Sequence, residues 1–583
     1  MDKFYTSEKN TQILIALMKF HGVRKIVASP GATNVCLVGS LQHDPYFEIY
    51  SSVDERSAAY MACGLARSSG EPVALSCTGA TASRNYVSGL TEAYYSNLPI
   101  LAITSAQHTG RTGHLMPQVI DRSNPMHDIA KKSIQVPTIH DKEDQWAAEV
   151  AINDALLELR RHGGGPVHIN LVTTYSPDFS VKTLPNVRGI KRYCAGEDFP
   201  EIPSGRIAVC VGAHIIWNKR LLECVNEFCR KYHAVVVCEP ISNYRGKYRV
   251  NPALLGNQTE YDSQMLCVDL MIHLGTVSGF GVGSLMDARE VWRVHPDGEV
   301  RDTFRKLTAV FEMSEDDFFC YYATAGSRGN YTDYYEELIH ECARIYEKVP
   351  ELPFSNAWIA QHTVRNLPHN IELHLGILNS IRAWTLFDIP PELDIDIFSN
   401  TGGYGIDGLV STLLGAAIAN PDKLCIGVLG DLAFFYDMNA IGNRHVSNNM
   451  RLLVINNGRG TEFRNYNHPA ARFGEQADAF MAAAGHYGNK SPDLIKCYAT
   501  CLGFEYMTAD SKKTYLENMG RFFSGEMFER PVLFEVFTDS RNESDALKML
   551  YTLETTAGSK AKHAVKHMLG EKGVATLKKV MKK

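Results

Sequence analysis

The sequence predicts an α/β protein built from three doubly wound parallel-sheet domains, followed by a basic helical tail. Three observations predict it. Short apolar runs alternate with helical stretches along most of the chain, which places parallel strands beneath crossover helices. Two polar, proline-bearing segments, near 176–204 and 345–356, divide that alternation into three parts. The 583 residues are also too many for one hydrophobic core, since cores stop growing at about 250–300 residues.

In the first part, 1–180, the runs RKIVAS (24–29), EIYSSV (48–53), PVALSC (72–77) and PILAIT (99–104) read as strands, with helices over 56–69 and 86–96. The second, 190–345, has strands RIAVCVG (206–212), AVVVCE (234–239) and DLMIHLG (269–275). The third, 356–550, has DIDIFS (394–399), KLCIGVLG (423–430), RLLVIN (451–456) and PVLFEVF (531–537). From 553 to 583 eight lysines stand against two glutamates, which reads as a solvated helix with a basic face; contact with an acidic surface or partner is the other reading.

Composition excludes several classes. A net charge of -6 offers no basic field for nucleic acid. No uncharged apolar run reaches the length of about 18 residues that a membrane span needs, and the first residues lack the pattern of a secretory signal. The fourteen cysteines contain no C-x-x-C pair, which suits reduced core thiols of a cytoplasmic protein better than disulfides or a zinc site.

The sharpest chemical signal is Gly430-Asp431-Leu432-Ala433 at the end of one apolar strand and Asn456-Asn457-Gly458 at the end of the next. Asp431 and Asn457 lie 26 positions apart. One crossover helix, expected over 435–446, fits that interval and brings both to the carboxyl edge of adjacent parallel strands, where ligands bind. An Asp431 carboxylate, an Asn457 amide oxygen and the main-chain carbonyl of Arg459 form an all-oxygen set suited to Mg²⁺ shared with phosphates. Gly430 permits close approach of the backbone, and the helix start after it offers amides to an anion.

This pattern resembles the cofactor motif of the thiamine diphosphate-dependent 2-oxo acid decarboxylases and carboligases (the acetolactate synthase-like family), most nearly its menaquinone-pathway synthase subgroup. The stretch SNTGGYGIDGLVSTLLGAAIA (399–419) is similar too. The resemblance implies a pyrimidine-binding domain over 1–180, a central non-catalytic domain over 190–345 and a diphosphate-binding domain over 356–550. It implies bound thiamine diphosphate and Mg²⁺, with Ile406 propping the cofactor into a bent shape and the Tyr404 carbonyl receiving its amine. Ser380 and, near the pyrimidine, Gly31, Thr78 and Asn85 join the cofactor-binding set. Glu55 becomes the acid that touches a pyrimidine ring nitrogen, its pKa raised by burial; the competing reading is that it caps the helix it begins. Thr33, Arg84 and Gln118 become pocket polar groups, along with His108 and His114 on the loop QHTGRTGHLMPQ, the two histidines with a supporting part in proton transfer.

The implied activity is decarboxylation of a 2-oxo acid with transfer of the acyl carbanion to a carbonyl or enoate acceptor, by a homodimer or homotetramer. A simple decarboxylase releasing an aldehyde and a catalytically silent cofactor-binding protein are the alternatives. The subgroup's substrate arginines are absent: Ala32-Thr33 and Ser399-Asn400-Thr401 stand in their places, and threonine cannot clamp a carboxylate as arginine does. A small donor such as pyruvate would need fewer clamps. The middle domain shows no flavin signature, Gly275 and the 279–283 turn reading as loop punctuation.

Overall fold

A computed structural model describes residues 4–214, 217–278, 282–324 and 333–555. The chain divides into two compact units: residues 1–197 with 297–312, and residues 198–296 with 313–583. The basic tail lies outside the described residues from 556 onward, as do residues 279–281 of the glycine turn.

Six strands form the first sheet: β1 (Lys25–Ala28), β2 (Glu48–Ser51), β3 (Val73–Cys77), β4 (Ile100–Ala106), β5 (Lys132–Val136) and β6 (Val167–Val172). Their order is β2-β1-β3-β4-β6-β5, with every pairing parallel. β3, β4 and β6 are buried at every position, because helices cover both faces and leave no side for polar alternation. The helix Glu55–Ser69 begins where the Asp54 side chain accepts the Ser57 N–H at 2.7 Å and ends at Gly70, whose φ of 68° stops it. Its alanines pack so tightly that a Cβ on Gly89 would stand 2.4 Å from that of Ala59.

The next strands are β7 (Lys191–Cys194), β8 (Ile207–Val211), β9 (Val235–Cys238), β10 (Arg249–Val250), β11 (Cys267–Leu274), β12 (Asp287–Val294) and β13 (Leu307–Glu312). In the second unit β10-β9-β8-β11-β12 run side by side. In the first, β7 pairs parallel with β13, so part of the segment expected to be a plain linker is a strand. A further six, β14 (Glu372–Leu375), β15 (Asp396–Phe398), β16 (Cys425–Gly430), β17 (Met450–Asn456), β18 (Glu505–Ala509) and β19 (Val532–Phe537), form a sheet of order β15-β14-β16-β17-β19-β18, again parallel throughout. The three-part parallel-sheet prediction holds.

Two expectations are corrected. The link between β16 and β17 is not one helix over 435–446 but a short helix, Asp431–Tyr436, followed by a 3-10 turn, Met438–Gly442. Asp437 ends the helix because its carboxylate is drawn off to Ser411, accepting the N–H at 2.6 Å and the hydroxyl at 2.7 Å. The cysteines are not all reduced: Cys224 and Cys320 form a disulfide, their Cα atoms 5.0 Å apart where the helices Lys219–Tyr232 and Glu315–Thr324 meet, within bonding range. The other described cysteines are free.

Candidate active site

In a doubly wound sheet, ligands collect where consecutive connections depart in opposite directions. In the first sheet that point lies between β1 and β3, in the last between β14 and β16. The segments leaving those four strands carry Gly31, Thr78, Asn85, Ser380 and Asp431, while Glu55, Ile406 and Asn457 follow β2, β15 and β17.

In the second unit, Ser380, Ile406, Gly430, Asp431, Leu432, Ala433, Asn457 and Arg459 all line one cavity of about 190 Å³. β16 and β17 are adjacent and parallel, so Asp431 and Asn457 leave neighbouring strand ends. Asp431 is 3% exposed, and the main-chain N–H groups of Leu432 and Asn457 near its carboxylate favour the charged form. Burial nevertheless pushes its pKa up to about 7. The Asn457 Oδ1 is buried without a hydrogen-bond partner, a costly state for a polar atom. Gly458, at φ 73°, turns the chain there. The Arg459 carbonyl accepts the Thr461 N–H at 2.9 Å, which leaves one lone pair for another donor or ion.

A carboxylate, an unpartnered amide oxygen and a half-used carbonyl are hard oxygen donors, and they fit Mg²⁺. Among the described residues no group of three or more His, Cys, Asp or Glu could hold a metal; a set with a single carboxylate does not need one. The expected helix-start anion site is not supported: the helix after Gly430 has only six residues. Tyr404 is half-buried with φ 54°, two residues before Ile406. Arg382 does not stand free as a substrate clamp, since it is paired with Glu462.

In the first unit, Gly31 and Thr78 meet: a Cβ on Gly31 would stand 2.3 Å from that of Thr78. Gly31→Ala is therefore expected to destabilise the apoprotein by about 1–3 kcal/mol, read as a lower denaturation midpoint; an unchanged midpoint would show that Thr78 gives way. Thr33, in place of an arginine, is spent internally, its hydroxyl 2.7 Å from that of Thr78. Glu55 accepts the Asn85 side-chain amide at 2.9 Å. The helix it opens has Asp54 as its N-cap, with Glu55 an acid in the first turn. Glu55 is only half-buried in the single chain, short of the burial expected, because the start of its helix faces outward. Gln118, at φ 61°, brings its carbonyl against Gly79, where a Cβ would lie 3.3 Å away. Its side chain and that of His114 are exposed, and the His114 N–H bonds Arg111 at 3.3 Å.

Sequence reasoning missed two buried acids. Glu543 lines the same cavity, its two carboxylate oxygens each 3.0 Å from the Asn356 N–H, with the Thr538 hydroxyl donating at 2.7 Å. Glu535 lies beneath the Asn456-Asn457 turn. A lone acid inside the apolar run VLFEVF was the available signal for Glu535; Glu543, in a polar helix start, gave none. Burial pushes the Glu543 pKa from 4.5 up to about 7. A raised carboxyl supports the fold below its unfolded value, and that support drains away as pH climbs through the folded value. Glu543→Gln, neutral throughout, is expected to flatten the fall of the apoprotein's thermal midpoint between about pH 5 and 8; an unaltered slope would assign that fall to other groups.

Residues 9–125 match the family model described as "Thiamine pyrophosphate enzyme, N-terminal TPP binding domain". The protein named 2-succinyl-5-enolpyruvyl-6-hydroxy-3-cyclohexene-1-carboxylate synthase from Bacteroides fragilis is 31% identical over 579 residues, covering 94% of this chain and 99% of the relative. Its namesake from Bacteroides thetaiotaomicron is 32% identical over 568 residues, with the same coverage of 94% and 99%. Among solved structures, Rhodococcus jostii RHA1 thiamine diphosphate-dependent 4-hydroxybenzoylformate decarboxylase aligns over 91% of this chain and 99% of its own at 14% identity, with a TM-score of 0.37, too loose to carry an argument.

Proposed function

Because the chain belongs to the thiamine pyrophosphate enzyme family that includes the 2-succinyl-5-enolpyruvyl-6-hydroxy-3-cyclohexene-1-carboxylate synthases, we propose that it decarboxylates a 2-oxo acid and passes the acyl carbanion to a carbonyl or enoate acceptor, using Mg²⁺ to hold the cofactor. The observation that carries this reading is the meeting of the Asp431 carboxylate with the Asn457 turn in a cavity also lined by Ser380 and Ile406. Bound thiamine diphosphate supplies the carbanion chemistry. Asp431, Asn457 and the Arg459 carbonyl hold the metal, while Ser380, Gly430, Leu432 and Ala433 shape the diphosphate end. Ile406, in the cavity wall, and the Tyr404 carbonyl would meet the cofactor between its two ends. Glu55, steadied by Asn85, holds the proton at the pyrimidine ring nitrogen, with Gly31 and Thr78 beside it and Gln118 and His114 as polar groups toward substrate.

We assign the pyrimidine end to residues 1–180 and the diphosphate end to 356–550, and take the chain to work as a homodimer or homotetramer. Exposed Val53, Tyr60 and Met61 around the start of the Glu55 helix support an oligomer, since such apolar clusters mark interaction surfaces. Among the described residues no helix is long and apolar enough to cross a membrane. The donor we favour is a monocarboxylic 2-oxo acid such as pyruvate. Arg459, in the cavity wall, is paired with Asp478 at 2.8 Å, and Arg382 with Glu462, so a second donor carboxylate would find these guanidinium groups already neutralised.

Asp431 brings a carboxylate into the wall, while Arg459 and Arg382 are already paired with acids, so a diphosphate needs a divalent cation to enter. Calorimetry of the chelator-treated protein is expected to show thiamine diphosphate uptake with Mg²⁺ and none without it; no uptake with Mg²⁺ present would overturn the reading. Product analysis with pyruvate or 2-oxoglutarate, with and without aldehyde or cyclic enoate acceptors, separates carboligation from release of an aldehyde.

A further inference from the structure

Strand β19 carries a single charge, and it is fully buried: Glu535 is 0% exposed, opposite Val454 of β17. Its Oε1 accepts the Asn456 side-chain amide at 2.6 Å and its Oε2 accepts the Tyr506 hydroxyl at 2.8 Å. Asn456 is held at its other end too, its Oδ1 accepting the Gly458 N–H at 3.1 Å and its carbonyl the Thr538 N–H at 2.9 Å. Asn456 and Gly458 bracket Asn457, the residue with the unpartnered buried oxygen. Glu535 thus grips the turn that aims this oxygen.

Neutral donors satisfy the Glu535 carboxylate, and among the described residues no cation forms an ion pair with it. A buried carboxylate without a counter-ion is an unfavourable arrangement, and a doubly charged cation held at the turn would relieve it.

We propose that Glu535 is a positioning residue for a divalent cation: through Asn456 it fixes the turn that presents Asn457, and its buried charge, one hydrogen-bonded step behind that turn, strengthens the hold on a 2+ ion. The proposal rests on the Mg²⁺ site of the proposed function and extends it outward by one hydrogen-bonded layer. Such partners set metal affinity by orienting the groups that touch the ion.

The test uses the full-length protein stripped with chelator, with Mn²⁺ as probe at saturating thiamine diphosphate, titrated by electron paramagnetic resonance. Glu535→Gln keeps the shape and an acceptor for Asn456 but removes the charge. Its Mn²⁺ affinity is expected to fall about 10–100-fold, while the thermal midpoint of the metal-free protein holds or rises, because a neutral amide is cheaper to bury than a carboxylate. A merely structural glutamate would lower stability and affinity together. Tyr506→Phe leaves the carboxylate and removes one of its donors, and is expected to weaken Mn²⁺ by a smaller factor; it decides the matter should the first variant not fold. Wild-type Mn²⁺ affinity in the folded variants would overturn the proposal. A wild-type protein that takes up no Mn²⁺ with the cofactor would instead remove the proposed function, and this inference with it.

Discussion

Asp431→Asn is expected to reduce uptake of thiamine diphosphate with Mg²⁺ by at least about 100-fold, beyond what loss of an outer partner costs, while leaving the apoprotein as stable as the wild type or more so. The two halves of this result have one cause. Asp431 is 3% exposed at the end of β16, and burial of its charge opposes folding when no cation is bound. Asparagine keeps the shape and an amide oxygen as acceptor, yet it carries no charge for a hard cation to neutralise. Calorimetry measures the first half and thermal denaturation without metal the second. Wild-type cofactor affinity in the variant would place the metal elsewhere; a collapse of apoprotein stability would make Asp431 a structural residue.

Glu55→Gln is expected to separate binding from chemistry in the opposite way. Turnover should fall by about 10²–10⁴-fold, the usual worth of a positioned acid–base group, with cofactor affinity little changed. The local fold should survive, because Asp54 caps the helix and the introduced glutamine would retain an oxygen for the Asn85 amide that now donates at 2.9 Å. Steady-state rates on a 2-oxo acid, read beside a cofactor titration, test both claims. Full turnover in the variant would strip Glu55 of its role; loss of cofactor binding instead would make it a binding group only.

The strands written most clearly in the sequence are those with unbroken apolar runs, although EIYSSV and DIDIFS also read as strands without one. VALSC, CIGVLG and the runs like them lie buried between helices, and burial on both faces writes itself into composition. Shorter or half-polar strands such as β2, with burial at no position, or β7, inside a proline-bearing stretch, carry less of that signal. β7 was taken for linker. Asp431 and Asn457 were legible because strand, crossover and strand have nearly constant lengths, so a spacing along the chain becomes a distance across a sheet edge.

What the sequence by itself determined, then, is the layered parallel-sheet architecture and the strand ends that carry the candidate site, since both follow from local periodicity and chain connectivity. Tertiary structure alone decided the rest: the Cys224–Cys320 disulfide between residues 96 apart, the pairing of Arg382 with Glu462, and the buried acids Glu535 and Glu543 that brace the cavity. Each depends on which side chains meet after helices and strands have packed, and the burial that gives such a meeting its electrostatic weight exists only in the folded protein.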